Sequence, residues 1–246
     1  MNQTPWPLVG TVGFDGPHAR TFQHLGGVEY PDAFLGMPKA PTLKRMQQAA
    51  GPGFEFVVRA SAALSHGASE PVCRKVKLPY LKGLAHPART LDLGEATELA
   101  WGFTVAMARA LGAGYVLLST PTSFRCTTGN EERLRSFMEH HVEGSGVHLI
   151  WDAQGEWPIA VRLQLAASLG IVPTYDPLVD PDVPPPDEAY LRVLGRSRAS
   201  RPLSDDDLAV VADAATAVKR ALVMFHTPLA YKDARALLLL VAGSGE

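Results

Sequence analysis

Short apolar or β-branched runs alternate along the chain with longer segments in which apolar residues recur every three or four positions. The short runs are typical of buried strands, and the longer segments are typical of amphipathic helices. Eight runs qualify as strands, at residues 7–14, 25–30, 54–61, 114–120, 147–153, 170–176, 188–195 and 220–227. Strands that alternate with helices in this way favour repeated βα units and a parallel sheet.

Six helical segments separate or follow these strands, and several begin at Ser, Asp or Asn and end at Gly, as helices commonly do. They are TLKRMQQAA, LDLGEATELAWGFTVAMARALG, NEERLRSFMEHHVE, EWPIAVRLQLAASLG, SDDDLAVVADAATAVKRA and AYKDARALLLLVAG. A chain of 246 residues with eight strands matches the usual size of a (β/α)₈ barrel, about 250 residues. We therefore predict an α/β fold, a single TIM barrel spanning residues 1–246. A doubly wound open sheet is the alternative.

Two connections depart from the regular unit, and each follows a predicted strand. Residues 66–90 form a long Pro- and Gly-punctuated loop, which is either a lid over a site or a solvated surface loop. Its basic residues are Arg74, Lys75, Lys77 and Lys82. After the sixth strand, the stretch PLVDPDVPPP has too many prolines for a regular helix and predicts an extended crossover in the place of that helix.

Composition and charge exclude several classes of protein. The chain has 46% apolar and 20% charged residues, a formal net charge of −2 and no run near the roughly 20 apolar residues that span a bilayer. The near-neutral charge argues against a surface that binds nucleic acid as a whole and leaves room for a local basic site, so nucleic acid is not the expected partner. The N-terminal MNQTPWPLVG lacks the basic and apolar regions of a signal peptide, so we expect a cytoplasmic protein without a membrane segment. Cys73 and Cys126 have no CxxC spacing and are expected to be reduced thiols.

Seven short motifs follow one another in a fixed order: GGVEYPDAF, PGFEFVVRASAALSH, GYVLLSTPTSF, IWDAQGEW, YLRVLGR, LVMFHT and KDAR. In that order they resemble the YecE-like family, the domain of unknown function 72, along nearly the whole chain. The resemblance implies a TIM barrel, which agrees with the count of strands. It brings no settled activity with it.

Most of the motif positions of that family are kept. The matching residues are Glu29, Phe34, His66, Pro121, Phe124, Gly155, Trp157, Tyr190, Arg192, Gly195, Arg196 and Phe225. Arg59 stands where the family has lysine, which keeps the charge. Pro31, Asp152, Gln154, His226, Thr227 and Asp233 stand where the family has asparagine, glutamate, arginine, two asparagines and asparagine, respectively. The resemblance therefore implies a divergent member, in which any reaction of the family is altered or lost.

Four candidate acid/base residues lie at or just after predicted strand ends, where barrel enzymes keep their sites. Glu29 either accepts a substrate proton or pairs with a barrel arginine, and His66 either transfers protons or caps its loop. Asp152 and Asp176 end the neighbouring fifth and sixth strands, where two carboxylates can form an acid/base pair. Asp176 precedes a proline, so a turn-forming role is the alternative.

The predicted substrate site is cationic. Tyr190, Arg192 and Arg196 share one face by the strand period of two. An arginine that points into a barrel is costly without a counter-ion, so Glu29, Asp152 or a ligand is expected to pair with it.

Arginine forks suit phosphate or carboxylate groups, and TIM barrels often bind phosphate through the loops after strands seven and eight. The predicted substrate-binding residues are Arg59, Gln154, Tyr190, Arg192, Arg196 and His226. Arg198 and Arg201 lie beyond the strand and are expected to be solvated.

Other site chemistries lack their motifs. The sequence has no GxSxG elbow, no GxxxxGK[ST] loop and no GxGxxG loop. A metal site built from Glu29, His66, Asp152, Asp176 and His226 is an alternative, but no HxH or HExxH spacing supports it. We therefore expect neither a metal nor another cofactor.

These observations predict an enzyme that acts on a small anionic or phosphorylated molecule at the C-terminal face of the barrel. The alternative is a non-catalytic module that binds a ligand or nucleic acid and has lost part of the family site. The sequence leaves the reaction and the oligomeric state open.

Overall fold

The structure is a computed structural model that describes residues 7–76, 85, 89–180, 186–195 and 201–243. Its eight strands hydrogen-bond in chain order and close into a barrel. They are β1 (Leu8–Val12), β2 (Gly27–Tyr30), β3 (Glu55–Arg59), β4 (Tyr115–Thr120), β5 (His148–Ala153), β6 (Val172–Tyr175), β7 (Glu188–Val193) and β8 (Arg220–Phe225). The predicted TIM barrel is confirmed, and each strand lies within its predicted range.

Eight α-helices surround the strands in the described part of the chain. They are α1 (His18–His24), α2 (Ala40–Ala50), α3 (Ala62–Ser65), α4 (Glu95–Leu111), α5 (Thr128–Phe137), α6 (Ile159–Leu169), α7 (Asp205–Thr216) and α8 (Ala230–Gly243). The helices α1 and α3 were not predicted, because they have only 7 and 4 residues and show little helical periodicity. None of the described helices is long and apolar enough to cross a membrane.

The connection from β6 to β7 is described only in part. Residues 177–179 form a turn, and no helix lies in the described residues of this connection. Residues 181–185 of the predicted proline-rich crossover lie outside the described residues. The extended form of this crossover therefore stays a prediction.

Strand register determines which face each side chain takes. Tyr190 lies beside Leu222 and Arg192 beside Met224, because β7 and β8 are parallel neighbours. The alternate residues, such as Leu191, are fully buried in an apolar core that also contains residues of α7 and α8. Tyr190 and Arg192 therefore occupy the opposite face of these strands, which is the interior face of the barrel.

Strand register also determines the side-chain faces of β3, β4 and β5. Arg59 is in register with Leu117, and Ser119 is in register with Asp152. Leu117 and Ser119 are two positions apart on β4, so they point to the same side. Arg59, Ser119 and Asp152 therefore share one face of this part of the sheet.

Two compact units can be distinguished in the chain. The first contains Met1–Glu29, Gln48–Glu55 and Thr174–Glu246, and the second contains Tyr30–Gln47 and Phe56–Pro173. A single domain over residues 1–246 stays a prediction.

Candidate functional site

Most of the predicted site residues that the structure describes lie at the C-terminal ends of their strands or directly after them. Arg59 is the last residue of β3, and Glu29, Asp152 and Arg192 are the penultimate residues of β2, β5 and β7. Asp176 and His226 directly follow β6 and β8. This is the end at which (β/α)₈ enzymes carry their active sites.

In the first unit, Glu29 is the centre of a buried polar cluster. The Arg192 guanidinium donates to both carboxylate oxygens, with Nε 3.1 Å from Oε2 and Nη2 3.1 Å from Oε1. The Tyr190 hydroxyl donates to Oε2 at 2.8 Å. Glu29 and Tyr190 have no exposed surface, and the Arg192 side chain is 9% exposed. The structure thus confirms that Glu29 is a counter-ion of Arg192, and a role of Glu29 in proton transfer stays a prediction.

Asp176 organises the loops after β6 and β7. Its Oδ1 accepts from the backbone N–H of Leu178 at 3.0 Å, and its Oδ2 accepts from the backbone N–H of Leu194 at 2.8 Å. The first bond closes a turn of the kind that aspartate commonly forms. The turn-forming role proposed for Asp176 is therefore confirmed, and its catalytic role stays a prediction.

The loop after β8 is held by a carboxylate that the sequence analysis did not select as a site residue. Asp233 is buried on α8 and accepts from the Leu203 N–H at 3.0 Å and from the Thr227 hydroxyl. His226, in the same loop, is exposed, and its backbone N–H donates to the Val193 carbonyl at 2.8 Å. Asp233 therefore connects the loops that follow β7 and β8.

In the second unit, one aromatic ring contacts two candidate site residues. The guanidinium carbon of Arg59 lies 4.0 Å from the centre of the Phe34 ring, within the range of a cation–π contact. The His66 ring packs against the same phenyl ring with centroids 5.4 Å apart and an interplanar angle of 75°. Phe34 thus joins Arg59, at the end of β3, to His66, at the end of α3.

His66 is buried and lies next to groups of both charges. Its Nδ1 is 2.8 Å from the Ser65 hydroxyl, and its backbone N–H caps α3 by donating to Ala62. Burial lowers the pKa of His66, the carboxylate of Glu70 partly opposes this shift, and the Arg59 cation lowers the pKa further. The imidazole is therefore neutral at pH 7, as a proton acceptor must be. The predicted alternative, in which His66 caps its loop, stays a prediction, because the capping contact seen here is made by the backbone at the end of α3.

The loop after α3 begins with an anchored segment. A 3₁₀ helix spans Pro71–Lys75, and the Glu70 carboxylate accepts from the Ser123 hydroxyl in the loop after β4. Cys73 is a free, buried thiol whose pKa is raised by burial and by Glu70, which argues against a nucleophilic role. Lys77 and Lys82 of the predicted lid lie outside the described residues, so the lid stays a prediction.

Asp152 is held on the shared interior face by two donors. The Ser119 hydroxyl donates to Oδ2 at 2.8 Å, and the Gln154 amide donates to the same oxygen at 3.4 Å. Ser119 is buried and was missed by the sequence analysis. The only signal in the sequence is its position, one residue before the end of the predicted strand at residues 114–120. Its alignment with Asp152 becomes visible only once the register of β4 and β5 is known.

The Gly-x-Trp part of the IWDAQGEW motif has a structural explanation. A Cβ atom on Gly155 would lie 2.3 Å from the Phe124 carbonyl oxygen, closer than real Cβ contacts allow. The Trp157 indole N–H donates to the same oxygen at 2.6 Å. These two contacts fix the loop after β5 against the loop after β4.

Some predictions about the site are not tested by the described residues. Arg196 and Arg198 lie outside them. The described residues contain no group of three or more His, Cys, Asp or Glu side chains that could hold a metal ion. The clusters around Glu29 and around Phe34 belong to separate units, and a single substrate site at the C-terminal face of the barrel stays a prediction.

Solved structures with a similar fold include a DUF72 family protein from Enterococcus faecalis V583, with 17% identity, a TM-score of 0.68 and coverage of 96% of this chain and 97% of that one. A DUF72 family protein from Thermotoga maritima MSB8 has 16% identity, a TM-score of 0.63 and coverage of 96% and 98%. D-psicose 3-epimerase, solved in the presence of D-fructose, has 10% identity, a TM-score of 0.58 and coverage of 91% and 90%. At these identities the similarity shows the fold alone.

No relative was found among curated proteins. A family model described as protein of unknown function DUF72 matches residues 19–245. Because that match covers most of the chain, the protein belongs to the DUF72 family.

Proposed function

We propose that this protein is an enzyme that moves a proton to or from a small anionic or phosphorylated substrate at the C-terminal end of the barrel strands. His66 accepts the proton, and Arg59 supplies positive charge for the anionic group. The observation that carries the proposal is the contact of both side chains with one aromatic ring, Phe34.

The electrostatics of His66 support a role in proton transfer. Burial and the Arg59 cation lower its pKa, so the imidazole is the neutral, accepting form at physiological pH. Perturbed titrating groups next to a specific charge are more frequent at functional sites than elsewhere. A histidine that only stabilises the fold needs no cation beside it. Here the Arg59 cation lowers the proton affinity of the His66 imidazole.

The proposed role of Arg59 is to stabilise the negative charge that proton removal leaves on the substrate. Removing a proton from a substrate leaves negative charge on it, and a fixed guanidinium stabilises that charge best where water is scarce. Arg59 is half-buried and lies at the end of β3, the end of the strands where barrel enzymes bind substrates. The similarity in fold to D-psicose 3-epimerase is consistent with a small polar substrate but transfers no residue.

A solvent-exchange experiment tests this proposal even when the product is unidentified. A panel of hydroxycarboxylates and sugar phosphates is incubated with the protein in D₂O, and loss of substrate C–H signals is followed by proton NMR. We expect exchange with at least one compound and a reduction of at least about 100-fold in His66→Gln, the lower end of the usual contribution of a general base. The exposed residue His140 provides the control variant, His140→Gln.

Arg59→Met should weaken binding of the same compound, since it removes the charge but keeps most of the apolar stem. Arg45→Met, on the exposed side of α2, is the matched control for loss of a positive charge. Exchange that persists unchanged in His66→Gln would refute the assignment of the proton acceptor.

The Glu29 cluster favours a second candidate function, a non-catalytic module that binds a small ligand. Both oxygens of Glu29 accept hydrogen bonds from Arg192 and Tyr190, and a carboxylate occupied in this way supports a site that binds without catalysis. Binding of a panel compound by calorimetry, without exchange of any of its protons, would favour this module over the enzyme.

A further inference from the structure

We propose that Phe34 is a positioning residue, whose ring holds the Arg59 guanidinium and the His66 imidazole at a fixed separation. The inference rests on the proposed function, because it explains how the proton acceptor and the cation are kept together. Phe34 itself transfers no proton and has no charge. Its contribution is the placement of the two groups that do.

The backbone around Phe34 fixes the position of the ring. The Phe34 N–H donates to the Pro31 carbonyl at 2.9 Å, which closes a turn directly after β2. The Phe34 carbonyl accepts from the N–H of Ala62 at 2.8 Å, and Ala62 is the first residue of α3. His66 ends that same helix, so the loop after β2 and the segment with the histidine are joined by backbone as well as by ring contacts.

The contact with Arg59 depends on an aromatic ring and not only on apolar volume. The guanidinium carbon lies 4.0 Å from the ring centre, over the electron-rich face. A guanidinium packed on an aromatic face has fewer orientations than a free one, and this limits the directions in which the N–H groups of Arg59 point. A leucine of similar size would keep the apolar contact but would lose the attraction for the cation.

The contact with His66 shields the imidazole from water and maintains its distance from Arg59. Several groups act on this histidine: the Ser65 hydroxyl at 2.8 Å, the Glu70 carboxylate, the Arg59 guanidinium, and Cys73, whose thiol donates to the His66 carbonyl at 3.5 Å. Among them, Arg59 is the cation that disfavours protonation. If Phe34 holds Arg59 in place, the influence of Arg59 on His66 must decrease when the ring is removed.

A double-mutant cycle measured on the titration of His66 tests this inference. The ring Cε1–H signal of His66 is assigned by comparison with His66→Gln, and its pKa is measured by NMR in the full chain. Arg59→Met should raise the pKa of His66 in the wild-type background. In the Phe34→Leu background, Arg59→Met should raise the pKa of His66 by less than about half of the wild-type increase. The reason is that Arg59 and His66 influence each other less once the ring no longer holds them in place.

Three further variants complete the experiment. Phe34→Tyr keeps an aromatic ring and should restore the full effect of Arg59→Met. Phe34→Met provides the same comparison if Phe34→Leu does not fold. Phe14→Leu removes another ring that stacks on a histidine, His18, at 3.9 Å and should leave the titration of His66 unchanged.

An equal effect of Arg59→Met with and without the aromatic ring would overturn the inference, as would an absence of any effect in the wild type. The titration requires no substrate, so its outcome is independent of the exchange experiment that tests the proposed function. If exchange activity is found, Phe34→Leu should raise KM and lower kcat together, because the ring holds both the cation that binds the anion and the imidazole that accepts the proton.

Discussion

The pair of Glu29 and Arg192 provides the sharpest test of how the barrel interior is stabilised. The perturbation is Glu29→Gln, which preserves shape and leaves the guanidinium of Arg192 without its carboxylate. Three hydrogen bonds of 2.8, 3.1 and 3.1 Å converge on Glu29, which has no exposed surface, while the Arg192 side chain is 9% exposed. Breaking a buried pair of this kind costs about 3–5 kcal/mol in the free energy of unfolding.

The magnitude separates this pair from an ion pair on the surface. Lys219 and Asp187 have the same type of contact at 3.0 Å, but their side chains are 78% and 85% exposed. Such a pair contributes less than about 1 kcal/mol, because water and salt screen it. Asp187→Asn is therefore the matched control, with an expected loss several times smaller than that of Glu29→Gln.

The assay is urea unfolding followed by far-UV circular dichroism, with a cycle of Glu29→Gln, Arg192→Met and the double variant. We expect a coupling energy of at least about 2 kcal/mol, since the double variant contains no charge deprived of its partner. A coupling energy no larger than that of the Lys219 and Asp187 pair would refute the argument. In that case Arg192 would be available for a ligand at little cost to the fold.

Three further predictions follow from other parts of the fold. Burial lowers the pKa of His66 below the ordinary 6.5, so the unfolded chain binds this proton first as the pH falls and the free energy of unfolding decreases below about pH 6.5. His66→Gln should therefore flatten this part of the pH profile of the urea midpoint. An unchanged slope would contradict the lowered pKa of His66. Gly155→Ala should destabilise the protein by about 1–3 kcal/mol in the same urea assay, because the new Cβ meets the Phe124 carbonyl. The control, Gly102→Ala, lies at an exposed helical position with open space and should stabilise the protein by about 0.5–1 kcal/mol. Asp176→Ala should lower the free energy of unfolding by about 1–3 kcal/mol and speed hydrogen exchange of the Leu178 and Leu194 backbone amides, since both lose a buried acceptor. Unchanged exchange at both amides would contradict this prediction.

The amino-acid sequence by itself determined the class of fold and the positions of the strands. Apolar, β-branched runs such as YVLLST in β4 are distinguishable from helices because their length and side-chain type are local properties. The shared face of Tyr190 and Arg192 was also predictable, since the period of two belongs to any strand. The short helix α3 was not, because four residues are too few to show a helical period.

Only the tertiary structure decided which partner each charged residue has. Glu29 and Arg192 are separated by 163 residues, and their bidentate contact depends on the closure and register of the barrel. Asp152 receives the Ser119 hydroxyl because β4 and β5 align these two residues side by side. The ring of Phe34 reaches Arg59 because a turn after β2 brings it to the end of β3. Sequence patterns report the local preferences of the backbone, whereas contacts between charges depend on distances that exist only after the strands have paired.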